Sequence, residues 1–421
     1  MNKDWLAVFE ALKAVYTEGA YSNISINEAV SRRKGLRESF VRSFAKGVIR
    51  NSIKIDHVID SLAGKGIGSI KPRPLIVLRM GIYAIDELDS VPDHAAVNEA
   101  VELAKSVAKG SDRFVNGVLR NYLRRKPEFA ADKLEPHIRY SMSESVFSLL
   151  HEQYGEEVFR IAEALNEPSE VFLRANTLKI SRDELIDRLA EHGIEGIPSE
   201  ENSEAIRAVG SGIISCELYI AGYYTIQSLS SMMAVKALGP EPGSRVLDLC
   251  AAPGGKTGYM AELMRNEGSI TACDIHPHRL KLTEAAMKRI GVGICATEER
   301  DAAVYDSALD SSFDYVLADV PCSGLGVITS KPEIKMTTDP SSYDDMTDIQ
   351  KSILSNALRY LKPGGRLEYS TCTLNKNENE KLVKQVLSKE GNSARIIEMT
   401  TFMPYNGKVG FYYCIIEKNA I

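Results

Sequence analysis

The chain has 421 residues, 44% of them hydrophobic and 26% charged, with a net charge of −6. That is the profile of a water-soluble globular protein of two or three domains. No apolar run approaches the roughly 18 residues that span a bilayer, and the N-terminal "MNKDWLAVFEALKAVY" lacks the basic stretch and apolar core of a secretory signal. The expectation is therefore a cytoplasmic protein with no membrane partner, and no coiled-coil pattern points beyond a monomer. The seven cysteines are an odd number without a CxxC pair, which argues against a disulfide framework and against a zinc site.

Residues 1–130 read as helical throughout, with apolar residues at helical spacing in "FVRSFAKGVIRNSIKIDHVIDSL" and "HAAVNEAVELAKSVA". "VPDHAAVNEAV" reads as a helix start with Asp93 as the cap. Residues 1–126 hold 21 Lys and Arg against 14 Asp and Glu, and the remainder holds 30 against 43. A basic front on an acidic back suggests that the front meets a polyanion, with Arg120, Arg124 and Arg125 as candidate phosphate contacts. A solvated helical surface would give the same count.

Residues 131–240 continue as helices and then change character near Val171. "VFLRANTLKI" reads as a strand with a turn, "SRDELIDRLAEHGI" as a capped helix and "GIISCELYI" as a second strand. Together these predict a small α/β subdomain, followed by a helix that ends at Gly239-Pro240. Residues 241–421 then alternate strand and helix, from "SRVLDLC" through "SITACD", "FDYVLADV" and "GGRLEYSTC" to "ARIIEMT" and "GFYYCIIEK". That alternation predicts a doubly wound Rossmann-like α/β sheet with helices on both faces.

"VLDLCAAPGGKTGYM" is strand, turn, helix. Gly254 and Gly255 let the backbone approach a ligand, and the helix start offers free N–H groups. It is not a P-loop, which needs a glycine with four residues between it and the Gly-Lys pair; Cys250 stands there. The dinucleotide fingerprint GxGxxG is absent as well. Three acids remain: Asp248 before the loop, Asp274 at the next strand end, where a carboxylate suits two ribose hydroxyls, and Asp301 after the following strand, where an adenine amine would lie. A ligand with a carboxylate, a ribose and an adenine is S-adenosyl-L-methionine. His276 and His278 flank Pro277 without further metal ligands in view, so no metal is expected. Tyr223-Tyr224 and Tyr412-Tyr413 read as strand core rather than base-stacking platforms.

"ADVPCSG" and "YSTCT" end two strands in cysteines, Cys322 and Cys372, beside Asp319. Ligands of open α/β sheets sit beyond the carboxyl ends of the strands, and neighbouring strands run about 4.8 Å apart, so both thiols can face one pocket. Paired with a methyl donor, a thiolate that attacks C6 of a pyrimidine makes C5 nucleophilic. An acid at N3, for which Asp319 is the candidate, stabilises the adduct. A stacked base is out of reach, so the target is single-stranded or flipped out. The residues alone do not rank the two cysteines.

"VLDLCAAPGGKT", "ADVPCSGLGV", "PEIK" and "LKPGGRLEYSTCTLNKNENE" together resemble the Sun-type RNA cytosine-C5 methyltransferases. The resemblance extends upstream through "LRANTL" and "YTIQSLSS". The front, with "VLRMGIYAI", "VPDHAAVNEAVELAK" and "FVNGVLRN", resembles the NusB-like RNA-binding domain of the members that modify 16S ribosomal RNA. The resemblance implies a class I S-adenosylmethionine-dependent methyltransferase domain at 241–421, behind a NusB-like domain at 1–130 and an RNA-binding subdomain within 131–240. It implies that Cys250, Ala251, Ala252, Pro253, Gly254, Gly255 and Lys256 cradle the cofactor, with Asp274 at the ribose, Asp301 near the adenine and Asp319 between cofactor and base. It implies Cys372 as the nucleophile and Cys322 as the residue that assists product release. Lys256 is expected near the active-site acid and Arg279 near the cofactor. Met336 stands where the family carries tryptophan. The same chemistry on transfer RNA, or a non-catalytic RNA-binding assembly factor, are the alternatives.

Overall fold

The computed structural model describes residues 2–337, 341, 343–391 and 393–420. It divides into two compact units, one of Met1–Asn166 with Ile328–Pro340, the other of Glu167–Val327 with Ser341–Ile421.

The first unit is all-helical among its described residues. Its first helix, Lys3–Glu18, starts because the Asn2 side chain accepts from the Asp4 N–H at 3.1 Å and stops at Gly19, which takes φ 68°. The helices bury an aliphatic core around Trp5, whose ring meets Phe44 edge-on at 5.0 Å. Asp93 is the first residue of the helix Asp93–Val107 rather than its cap; that position is Pro92, and no side chain caps the helix. An acid in the first turn still favours the helix through its dipole.

The stretch from Ile328 leaves the sheet domain and packs into this helical unit. Glu333 accepts from the Ser22 hydroxyl at 2.7 Å. Lys335 is buried and donates to the carbonyls of Arg50 (3.2 Å) and Tyr140 (3.0 Å) and to the Asn166 side chain. Burial holds the Lys335 ammonium well below its usual range. Met336, at the position of the expected tryptophan, packs against the helical core.

The second unit carries two sheets. The smaller has strands β1 (Val171–Ala175), β2 (Glu195–Pro198), β3 (Ala205–Val209) and β4 (Tyr224–Ile226) in the order β2-β3-β1-β4, all antiparallel. The strand expected at "GIISCELYI" is not one. Gly210 and Gly212 take φ 142° and 76°, and the helical turn Glu217–Ile220 follows. A strand forms instead at "AIRAV", an inner strand of the sheet, where Ala205 and Ile206 are fully buried.

The larger sheet has β5 (Arg245–Asp248), β6 (Ser269–Asp274), β7 (Cys295–Glu299), β8 (Phe313–Asp319), β9 (Leu361–Thr371), β10 (Ala394–Phe402) and β11 (Phe411–Lys418), in the order β10-β11-β9-β8-β5-β6-β7. β5 through β9 are mutually parallel, and β11 runs antiparallel to both neighbours. The sheet is buried on both faces. The helices Tyr343–Tyr360 and Glu380–Lys389 cover Leu367 and Tyr369 on one side, and the helices Leu229–Leu238 and Gly255–Leu263 cover Leu317 and Ile415 on the other. Chain order reverses between β5 and β8, so the crevice beyond their carboxyl ends is the place for a ligand. Tyr412 and Tyr413 are core residues, as their alternation in a strand suggests.

Candidate active site

Asp248, Asp274 and Asp319 are the last residues of β5, β6 and β8, and Cys372 is the first residue past β9. All four therefore stand on one edge of the sheet. Asp319 pairs in register with Ser370, and Asp248 with Leu317. After β5 the chain makes the glycine-rich turn. Gly254 takes φ 101°, where a side chain would be strained and its Cβ would lie 3.2 Å from Thr283 and Met287. The helix Gly255–Leu263 then begins.

A cavity of about 130 Å³ lies against this turn, lined by Asp248, Cys250 to Pro253, Lys256 and Asp319 among others. The Arg279 guanidinium fastens the turn, donating to the Ala252 carbonyl at 2.9 Å while pairing with Asp274 at 3.3 Å. Asp274 is buried and also accepts from the His276 N–H at 3.0 Å. Asp301 follows β7 on the same edge, but its side chain closes a turn by accepting from the Ala303 N–H at 2.9 Å, and it does not line the cavity. His276 and His278 are exposed.

Lys256 reaches across to Asp319, Nζ to Oδ2 at 2.6 Å, and its ammonium lies 4.8 Å from the Phe411 ring centroid. Burial disfavours this ammonium, but Asp319, Glu368 and Asp248 outweigh it and raise its pKa. Asp248 is fully buried, and desolvation pushes it up to about 7 despite the 2.7 Å hydrogen bond it accepts from Thr257. Burial likewise raises the Cys250 thiol well above its ordinary value, which makes Cys250 a wall of the pocket and not a nucleophile.

The two cysteine sulfurs, Cys322 and Cys372, are 3.2 Å apart. The hydrogen bond to Cys372, burial and the nearby Glu378 carboxylate together raise the Cys322 thiol well above its ordinary value. Either sulfur can be the donor in this contact, so the geometry brings the two thiols together without ranking them.

What brings the two loops together lies largely in "TLNKNENE". Glu378 is fully buried and accepts from the Ser323 N–H (2.9 Å), the Ser323 hydroxyl (2.5 Å), Gln350 (2.9 Å) and Asn375 (3.0 Å). Gln350 also holds the Pro321 carbonyl at 2.8 Å, and the Thr371 hydroxyl donates to Asn379 at 2.6 Å. Gly326 donates to the Cys372 carbonyl at 3.0 Å, and a Cβ on it would lie 2.1 Å from the Gly410 oxygen. Replacing Glu378 with alanine leaves several donors buried without an acceptor, at roughly 1–3 kcal/mol each. Glu378→Ala is expected to lower the urea midpoint and to cost transfer rate, and an unchanged midpoint would contradict this role.

A second buried group, missed in the sequence reading, supports the cofactor turn from β1. Arg174 is fully buried and donates to both Glu262 oxygens (2.9 and 2.8 Å), to the Gly255 carbonyl (2.8 Å) and to Gln227. The signal was present in "LRANTL", since an arginine in an otherwise apolar strand must find partners. Its partners lie 81 and 88 positions downstream, which no local pattern reveals.

A mixed sheet of this order, with a glycine turn after its first strand and acids at successive strand ends, defines a nucleotide-cofactor-binding methyltransferase fold. Comparison with known proteins agrees. The family described as 16S rRNA methyltransferase RsmB/F matches residues 235–415, the NusB family matches 4–124, and the ferredoxin-like domain of RsmF/B-like methyltransferases matches 146–212.

A Bacillus subtilis (strain 168) protein described as a probable ribosomal RNA small subunit methyltransferase B is 33% identical over 98% of both chains. Ribosomal RNA small subunit methyltransferase B of Shigella flexneri serotype 5b is 30% identical over 91% of this chain and 90% of its own. Among solved structures, a methyltransferase homolog protein from Pyrococcus horikoshii is 30% identical with a TM-score of 0.60, over 68% of this chain and 100% of its own. The crystal structure of PH0851 is 25% identical with a TM-score of 0.84, over 99% and 98%. The chain belongs to the RsmB/F methyltransferase family, with a NusB domain in front. Its cofactor is S-adenosyl-L-methionine, and the glycine turn with the acids at the neighbouring strand ends has the hydrogen-bonding chemistry that ligand needs.

Proposed function

We propose that this protein methylates C5 of a cytosine in 16S ribosomal RNA, with Cys372 as nucleophile, Cys322 assisting release and Asp319 at N3 of the base. The observation that carries this reading is the pair of sulfurs 3.2 Å apart beside the Lys256–Asp319 pair. A binding protein has no use for either.

The turn from Cys250 to Lys256 holds the cofactor, Asp274 meets its ribose, and the adenine end extends beyond the cavity toward Asp301. S-adenosyl-L-methionine supplies an electrophilic methyl group. The Cys372 thiolate forms a C–S bond at C6, and the displaced electron pair makes C5 nucleophilic while Asp319 hydrogen-bonds or protonates N3. C5 takes the methyl group; its proton then passes to solvent water, and the C–H electron pair forms the C5–C6 double bond as the Cys372 sulfur leaves with the C–S pair. The Cys322 thiol is placed to hydrogen-bond the departing sulfur. The basic helical front and the subdomain of β1–β4 grip RNA, and the base enters single-stranded or flipped out. The relatives' names favour small-subunit ribosomal RNA over transfer RNA.

The test uses the full chain with isotope-labelled cofactor and separate ribosomal and transfer RNA substrates, followed by nucleoside analysis. Labelled 5-methylcytidine in 16S RNA is expected. Label in transfer RNA alone would reassign the substrate, and label in no cytosine would reject the reaction.

A further inference from the structure

Glu368 is a carboxyl group in the middle of β9, fully buried, with no hydrogen bond of ordinary geometry to either oxygen; the Ser370 hydroxyl is the hydrogen-bonding group that acts on it. A buried acid so thinly partnered costs stability, so its presence in the sheet calls for a role. Alternation along β9 puts Glu368, Ser370 and Cys372 on one face. In register across the sheet on that face stand Leu317 and Asp248, and one step on stands Asp319.

Glu368 is influenced by Lys256, Asp319, Ser370 and Asp248, and Tyr413 of β11 responds to it in turn. The helix Leu229–Leu238, which covers this face, carries one charged residue, Lys236, and that lysine is paired with Glu204 at 3.1 Å. Three carboxyl groups thus surround a single ammonium. Like charges so enclosed cannot all ionise, and burial first of all pushes Glu368 up to about 8.

Asp319, by contrast, already receives two donors, Lys256 at 2.6 Å and the Ser370 hydroxyl at 3.0 Å. In the resting site it is arranged as a carboxylate, yet an acid that serves N3 must acquire a proton. The Ser370 hydroxyl gives its hydrogen to Asp319, and the same hydroxyl acts on Glu368, two residues back on the same face of β9.

Resting on the reading of Asp319 given above, we propose that Glu368 stores the proton that Asp319 delivers, passing it through the Ser370 hydroxyl. The Glu368 O–H bond breaks as Ser370 Oγ takes that proton, and the Ser370 hydrogen moves to Asp319. Lys256 remains an ammonium throughout and turns its attraction to the newly charged Glu368. Glu368 touches no reacting atom; it is a positioning residue.

The test is Glu368→Gln in the full chain, with two readouts. The first is single-turnover methyl transfer to 16S RNA from pH 6 to 9 at saturating cofactor, taken as the ratio of variant to wild type so that thiol ionisation cancels. The ratio should fall about tenfold per pH unit up to about pH 8 and then level, because the variant must draw its proton from solution. KM for the cofactor should stay within about twofold, and Ser370→Ala should reproduce the slope. A pH-independent ratio, or a loss confined to KM, overturns the proposal.

The second readout needs no activity. The folded protein holds the Glu368 proton to higher pH than the unfolded chain, so the wild type loses stability as pH rises from about 4.3, the unperturbed glutamate value, through the folded one. The glutamine variant lacks this contribution. Its advantage in Tm should widen from pH 5 to 8, and a constant gap overturns the proton store. Absence of cytosine methylation by the wild type would instead reject the proposed reaction, and the Tm gap would still decide whether Glu368 stores a proton.

Discussion

Cys372→Ala is expected to lower methyl transfer by at least about 10⁴-fold, because it removes the atom that activates C5. The fold should survive. Cys372 is only partly buried and sits at the mouth of a strand, held by its backbone: its carbonyl accepts from Gly326, and Gly326 in turn accepts from Gly410 at 2.8 Å. Trimming one sulfur there opens little cavity, so the unfolding free energy from urea titration should change by less than about 1 kcal/mol. Cofactor binding, which depends on the turn from Cys250 to Lys256, should be unchanged by calorimetry. A variant that keeps more than about one per cent of the wild-type rate would show that the sulfur at 372 is not the nucleophile.

Arg174→Ala is expected to be the most destabilising single change in the sheet domain, at about 3–5 kcal/mol, since it leaves the Glu262 carboxylate buried without its partner. Burial already raises Glu262 against the pull of Arg174, and without the arginine it rises further. The folded state then holds a proton that the unfolded chain gives up near pH 4.3. The deficit should therefore be smaller at pH 5 than at pH 8, as read from urea midpoints at both. The double change Arg174→Met with Glu262→Leu should recover much of the stability, because a buried ion pair is often matched by apolar residues. It should not recover cofactor affinity, since the hydrogen bond from Arg174 to the Gly255 carbonyl (2.8 Å) is still missing. Recovery of both would assign Arg174 to stability alone.

The strand-helix alternation after residue 241 and the placement of Asp248, Asp274, Asp319, Cys322 and Cys372 on one edge were legible because they are local. Each motif carries its own strand, turn and helix start, and strand ends of a parallel sheet share an edge. The small sheet was harder. "GIISCELYI" has the composition of a strand, but the positive φ of Gly212 and of Gly210 just before it turns the chain, while the real strands β2, β3 and β4 are three to five residues long. Arg174, Glu262, Glu368 and Glu378 escaped for a different reason. Each is a buried charged or polar group whose meaning lies in partners far along the chain, and only the folded sheet brings Glu378 to Ser323, 55 positions away. The packing of Met336 among the helices was equally out of reach, because the stretch from Ile328 belongs to one domain by sequence and to the other by contact.

The ranking of the two sulfurs is the centre of this account, and the covalent intermediate tests it most directly. Cys322→Ala, incubated with 16S RNA and S-adenosyl-L-methionine and run on a denaturing gel, should retain RNA bound to protein, with the bond mapped to Cys372 by peptide mass spectrometry. The thiol that assists departure is gone while the attacking sulfur remains. An adduct that instead appears in Cys372→Ala and maps to Cys322 would reverse the assignment.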